Sequence, residues 1–182
     1  MLKALLLIAY STMATASSIA WGGRLVTGVT SSTRGSLTTL TFTEGCTSPI
    51  TVNADVPFKR NRGCSKFKVK LPVKGQRTAI GLQFSTSPAS SYLTPSYSPS
   101  LKSYVSFGGA GFIYPATVTA TRGYKEKDEI EISIDWSAQR VDFSVNSGVV
   151  GTVALDPGVD SAWPSVSSEG GVVVAEITTK DS

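Results

Sequence analysis

Residues 66 to 71 read KFKVKL, and this two-residue period recurs along the chain. In a strand, successive side chains point to opposite faces. Phe67, Val69 and Leu71 therefore share one face and the three lysines take the other. A 3.6-residue period is hard to find beyond the N-terminus. Alternation predicts strands at Leu37 to Phe42, Ile50 to Val56, Lys66 to Leu71, Thr78 to Phe84, Ser103 to Phe107 and Ala116 to Thr121. It predicts more at Glu129 to Trp136, Val141 to Val145, Val149 to Leu155 and Val172 to Ile177. Short strands punctuated by Gly, Pro, Asn and Ser imply an all-β antiparallel sandwich or barrel. Gly81, inside a predicted strand, marks a bulge or a close backbone approach.

The 182 residues suit one domain with a sizeable core. Only 16% of residues are charged. Low charge with abundant Ser, Thr and Gly fits a secreted chain better than a helical cytosolic one. The N-terminus agrees. Lys3 precedes the apolar run Ala4 to Tyr10, and Ala14-Thr15-Ala16 supplies small residues for cleavage. Residues 1–16 are thus expected to be a signal peptide, with cleavage after Ala20 as the alternative. The domain is expected over 22–182. The competing reading is a membrane anchor, but a span needs ~20 apolar residues, and no later segment could cross.

Cys46 and Cys64 are the two cysteines. In an oxidising compartment an intrachain disulfide is the favoured reading; free thiols or an intermolecular bridge are the others. With no histidine in the chain, they cannot complete a Cys/His zinc site. No metal or cofactor is expected.

Charge is divided along the chain. Residues 56 to 125 hold eleven Lys or Arg and no acid, whereas 126 to 182 hold eleven acids and three bases. The basic segment 59–77 could form a face for an acidic polymer. Alternatively, Lys66, Lys68 and Lys70 face Glu129 and Glu131 across neighbouring strands. Charge pairing is favoured, and an exported chain is not expected to meet nucleic acid.

The stretch from 85 to 101, STSPASSYLTPSYSPSL, lacks a strand signal, and its three prolines break continuity. Its tyrosines among small hydroxyl residues suit a protein-binding loop; a surface loop without a partner is the equal alternative. Gly108-Gly109-Ala110-Gly111 is read as a turn. Trp136, in phase with Ile130, Ile132 and Ile134, is read as core rather than a sugar platform.

The second half carries an ordered series: Asp128-Glu129-Ile130, Ile134-Asp135, Phe143-Ser144-Val145-Asn146, Gly148, Gly151 and Trp163-Pro164-Ser165-Val166. Earlier come Phe67-Lys68-Val69 and Ile80-Gly81-Leu82. This series resembles the SPRY family over about residues 50 to 178. There a Gly-Asp-x-Ile start, a Phe-Ser-x-Asn-Gly turn and an aromatic-Pro-x-Val segment follow one another. Three positions depart. Lys127 stands for the usual glycine, Ser147 is inserted into the Asn-Gly turn, and Lys68 replaces a Glu. The resemblance implies a two-sheet, concanavalin-like jelly roll. It also implies a non-catalytic module that binds a protein through loops at one end. Secreted versions resemble effectors that some plant parasites release into hosts.

Catalytic alternatives are weaker. Jelly-roll glucanases carry Glu-x-Asp-x-Glu on one strand, and retaining hydrolysis needs two carboxyls ~5 Å apart. Here Glu129 and Glu131 are followed in phase by Ser133, which cannot move a proton near neutral pH. No histidine is present to activate a nucleophile. A calcium site at Asp135 or Asp142 would lack a dense acidic loop. The expectation is a secreted, non-enzymatic SPRY-like module with a protein partner. Its loops near 85–101 and 108–115 would present Tyr92, Tyr97 and Tyr114 as anchors. The alternative is a lectin-like carbohydrate binder.

Overall fold

The computed structural model describes residues 21, 27–45, 49–60, 65–84, 104–114 and 118–179. They form β1 (Val29–Arg34), β2 (Leu37–Phe42), β3 (Ile50–Asn53), β4 (Phe58–Lys59), β5 (Ser65–Gln83) and β6 (Tyr104–Gly108). β7 (Phe112–Tyr114), β8 (Val118–Thr119), β9 (Glu129–Asp135), β10 (Arg140–Val145), β11 (Gly148–Ala154) and β12 (Ser161–Thr179) follow. All pairings are antiparallel.

Two long strands organise the rest. The predicted strands 66–71 and 78–84 are one bent strand, β5. The predicted 172–177 is the second half of β12, whose first half contains the Trp163-Pro164 segment. β5 and β12 pair along their length and bend together. Before the bend, the first half of β5 and the second half of β12 lie in sheet I, ordered β1-β2-β12-β5-β9-β10-β11. Beyond it, the other halves lie in sheet II with β3, β6, β7 and β8. The ladder slips at Ser167/Glu169 and Val172/Val174, the bulges that turn the corner. Gly170 and Gly171 have φ of 77° and 89° there. A Cβ on Gly75 would strike the carbonyl oxygen of Gly170. The pattern reading missed the continuity because KGQ at 74–76 and EGG at 169–171 look like turns between strands.

The bend lays the two sheets face to face. Phe107 of β6 meets Phe143 of β10 at 5.7 Å between ring centres. Phe67, Val69, Leu71, Ile130, Ile132, Ile134, Val141 and Val145 fill sheet I's inner side, and Ile80, Leu82, Val105, Ile113 and Val166 fill that of sheet II. This all-β sandwich is the predicted class. Trp21 bridges to Ala54 and packs on Phe67 at 6.3 Å, so the core reaches one residue before the expected boundary at 22. Trp136 is buried, as its phase predicted, with Nε1 3.5 Å from Ser65 Oγ. Gly81 marks a close approach: a Cβ there would strike the β6 backbone at Val105 and Ser106.

The resemblance's departures have structural readings. Lys127 has φ of 70°, a left-handed conformation that glycine adopts more easily. Asn146 and Ser147 have φ of 51° and 68°, a two-residue turn of the primed type. Ser147 takes the turn position where glycine is favoured, and Gly148 is shifted to the first residue of β11. Asn146 holds the turn in place. Its Oδ1 accepts from Glu129 N at 2.9 Å and its Nδ2 donates to Asp128 Oδ1 at 2.8 Å. Asp128 also accepts from Lys125 N and Arg122 Nη2.

Candidate binding surface

The outer face of sheet I consumes its own charges. Register sets Lys68 opposite Glu131 and Lys70 opposite Glu129. Lys68 Nζ lies 2.9 Å from Glu129 Oε1 and 3.6 Å from Glu131 Oε2, with Lys66 and Lys70 completing the ladder at 3.4 and 3.3 Å. The charge-pairing reading therefore holds for these three lysines. It also gives the departure at Lys68 a role, since an acid there would face two others. The Lys68 hydrogen bond holds the Glu129 carboxyl below its ordinary value, and Glu129 in turn raises the Lys68 ammonium. A glycosidase acid needs the opposite shift, upward. Ser133, next on this face, lies opposite Lys66 and Asp142. No proton donor follows the pair, so the strand is not an active site of the Glu-x-Asp-x-Glu kind.

Other acids are engaged as well. Asp135 Oδ1 accepts from Ala138 N and from Ser137, capping the β9–β10 turn, and this lowers its carboxyl. Asp142 joins Arg140 to Thr152. Burial pushes Asp128 upward, but Lys125 N, the Asn146 amide and Arg122 outweigh it, and the carboxyl sits below its usual range. Among the described residues no group of three His, Cys, Asp or Glu is placed to hold a metal. A groove of ≈ 410 Å³ at the β5–β12 bend is lined by glycine backbone with Glu44, Lys74 and Glu169. Glu169 Oε1 lies 3.1 Å from Arg77 Nη1. The groove offers mixed charge, with Glu169 held by Arg77.

Sheet II has a different outer face. Register places three rows across it. Trp163, Gln83 and Tyr104 form one; Asn53, Ser165, Gly81, Ser106 and Tyr114 the next; Thr51, Ser167, Ala79 and Gly108 the third. Phe112, two residues before Tyr114 on β7, points to the same side. In the second and third rows the central strands β12, β5 and β6 contribute only small side chains, most of them buried, whereas Trp163, Gln83 and Tyr104 stand at one end and Tyr114 and Phe112 along the β7 margin. Tyr104, Ala79 and Tyr114 form an apolar cluster separate from the main core. Phe112 lies 6.1 Å from Tyr114 and is 48% exposed. Burial, with Tyr114 beside it, raises the Tyr104 phenol. Polar groups link up alongside: Ser165 Oγ donates to Asn53 Oδ1 at 2.6 Å, and Asn53 Nδ2 to Gln83 Oε1 at 2.6 Å.

Of the predicted site residues, Tyr114 belongs to this face. Tyr92, Tyr97, Cys46 and Cys64 lie outside the described residues. The connection carrying the first two leaves after Phe84 and returns at Tyr104, beside the first row. The 108–111 turn, closed by Gly111 N on Gly108 O at 2.9 Å, lies at the other end of β6. It is a turn, as expected, but β6 separates it from Gln83 and Tyr104. Tyr104 and Phe112 were not chosen from sequence. Their phase could have shown it, since Tyr104 and Ser106 alternate with Val105 and Phe107, and Phe112 and Tyr114 flank Ile113.

Solved structures share the fold. The SPRY domain of human HERC1 is 15% identical with a TM-score of 0.62, covering 84% of this chain and 94% of that one. The chain has the SPRY fold. A second human SPRY domain gives 20% identity and a TM-score of 0.58 over 80% of this chain and 94% of the other. The TRIM65 PSpry domain gives 9% and 0.60 over 83% and 85%. No family model matches the sequence, and the search of curated proteins finds no match. The likeness lies in the SPRY fold.

Proposed function

We propose that this chain is a secreted, non-catalytic binding module that recognises a protein partner at the β7 margin of sheet II, where Phe112 is exposed. The exposed Phe112 ring, 6.1 Å from the half-buried Tyr114 and outside the main core, carries the reading, and the buried Tyr104 supports Tyr114 from the neighbouring strand. Rigid aromatic side chains on strands give contact area at small entropic cost, and interface hot spots are enriched in them. The SPRY fold supports a binding role in place of catalysis, and the charge-paired acids of sheet I offer no competing chemistry. Secretion rests on Lys3, the apolar run and the small residues at 14–16. An effector role in a host would fit such a secreted module.

A photo-crosslinking residue at Phe112 tests the surface. It is expected to capture a protein that the same residue at Thr39, on sheet I's outer face, does not. Equal capture at both positions, or none at Phe112, would reject the proposal. A carbohydrate ligand is the second reading. Trp163 and Asn53, both half-buried at the end of sheet II, offer the ring and amide groups that sugars use, although Gln83 and Ser165 beside them are buried. A glycan array without hits would remove it.

A further inference from the structure

The β7 margin is gripped by one segment, 118–125. It begins as β8, crosses the edge between the two sheets and runs into the turn before Asp128. Its backbone bonds to both sheets. Thr121 N donates to Val150 O of β11 at 2.8 Å, Ala120 N to Gly111 O at 2.8 Å and Tyr124 N to Gly109 O at 3.2 Å. β8 pairs with β7 itself and sets Thr119 opposite Phe112. Gly109 and Gly111 belong to the turn that leads into Phe112, so the segment holds that turn by two carbonyls. β7 has three residues and β8 two. Strands so short are marginal alone, and their placement depends on what they pack against.

Two residues decide where the segment lies. Gly123 is not in the left-handed region, so conformational freedom is not what it supplies. It supplies space: a Cβ there would strike the Gly109 carbonyl oxygen and crowd Gly111 N. Asp128 supplies the anchor. Its buried carboxylate accepts from Arg122 Nη2 at 3.1 Å and Lys125 N at 3.0 Å, both in the segment. It also accepts from Asn146 Nδ2 at 2.8 Å, in the β10–β11 turn of sheet I. Between these two points Tyr124 is pinned, its hydroxyl donating to Thr78 O at 2.7 Å. We propose that Gly123 and Asp128 are positioning residues for Phe112, acting through 118–125 and the 108–111 turn. Asp128 is buried and touches no partner itself. The proposal rests on Phe112 as the contact and adds what fixes its place: two residues that lie outside β7 and are joined to it by backbone.

Fluorine NMR of the free protein tests this, with fluorophenylalanine placed at Phe112 and, as a reference, at Phe58 on β4. Gly123→Ala and Arg122→Gln are each expected to shift the signal at Phe112 and leave that at Phe58. Arg122→Lys, which keeps a cation for Asp128, is expected to restore it. Gly35→Ala strains a turn between β1 and β2 where φ is 62°. It is expected to lower the melting temperature without moving either signal. A partner captured at Phe112 is expected to bind Gly123→Ala roughly tenfold more weakly, within the range that packed networks transmit. Should Gly123→Ala fail to fold, the Arg122 variants decide. An unmoved Phe112 signal would overturn the proposal, as would a shift that Gly35→Ala reproduces or that appears equally at Phe58. Expected shifts without any capture at Phe112 would support the positioning and reject the contact reading.

Discussion

The outer faces of sheets I and II are built on the same two bent strands and do opposite things. On sheet I, Lys66, Lys68 and Lys70 close a ladder with Glu129 and Glu131. On sheet II, the β7 margin carries Tyr114 and an exposed Phe112 beside buried small residues of the central strands. The first face satisfies itself, and paired charges in solvent leave little free energy for a partner. The second places an exposed aromatic ring, Phe112, outside the core. The difference teaches that conspicuous charge in a sequence is a poor guide to a site. Electrostatic matching inside the fold can consume it.

The comparison can be broken at its root or at either face. Phe107→Ala removes the ring that joins the two sheets, with losses of Phe143 and Tyr124 contacts. It is expected to cost ~3–5 kcal/mol in urea unfolding, since a large buried ring leaves a cavity. Tyr114→Ala is expected to weaken a partner captured at Phe112 by roughly 30-fold, ~2 kcal/mol, if the aromatic face is the contact. Titration calorimetry of that pair would measure it, and an unchanged affinity would dissolve the contrast between the faces.

Smaller effects sharpen the contrast. Ser147→Gly is expected to raise stability by roughly 1 kcal/mol, because a left-handed turn position costs serine and not glycine; thermal melting would show it. Acid should weaken the β9 side. Asp128 and Glu129 have folded values below their ordinary ones. The stability they contribute is full above the unfolded carboxylate range, about pH 4, and is lost as pH falls through the depressed values. Glu129→Gln should flatten part of this dependence and cost at most ~1 kcal/mol at neutral pH. Unfolding curves from pH 6 to pH 2 would check both.

Much of the fold was legible because period-two alternation is local. Ile130, Ile132 and Ile134 announce a buried face whatever lies opposite. Asp128 and Asn146 were legible only as members of an ordered series. Their hydrogen bonds to each other explain why those residue types recur at that spacing. Tyr114 was legible as an aromatic group but not as part of a face, since its neighbours Tyr104 and Ala79 come from other strands.

The sequence by itself determined the inner faces, the turns at Gly108 to Gly111 and Asn146-Ser147, and the pairing partners available to the lysines. Tertiary structure alone decided that β5 and β12 run unbroken through their glycine-rich bends. It alone decided which small and aromatic residues share sheet II's outer face. Those are properties of register between residues distant in the chain. Register is fixed by the core as a whole, because a slip of one residue would turn every buried side chain outward.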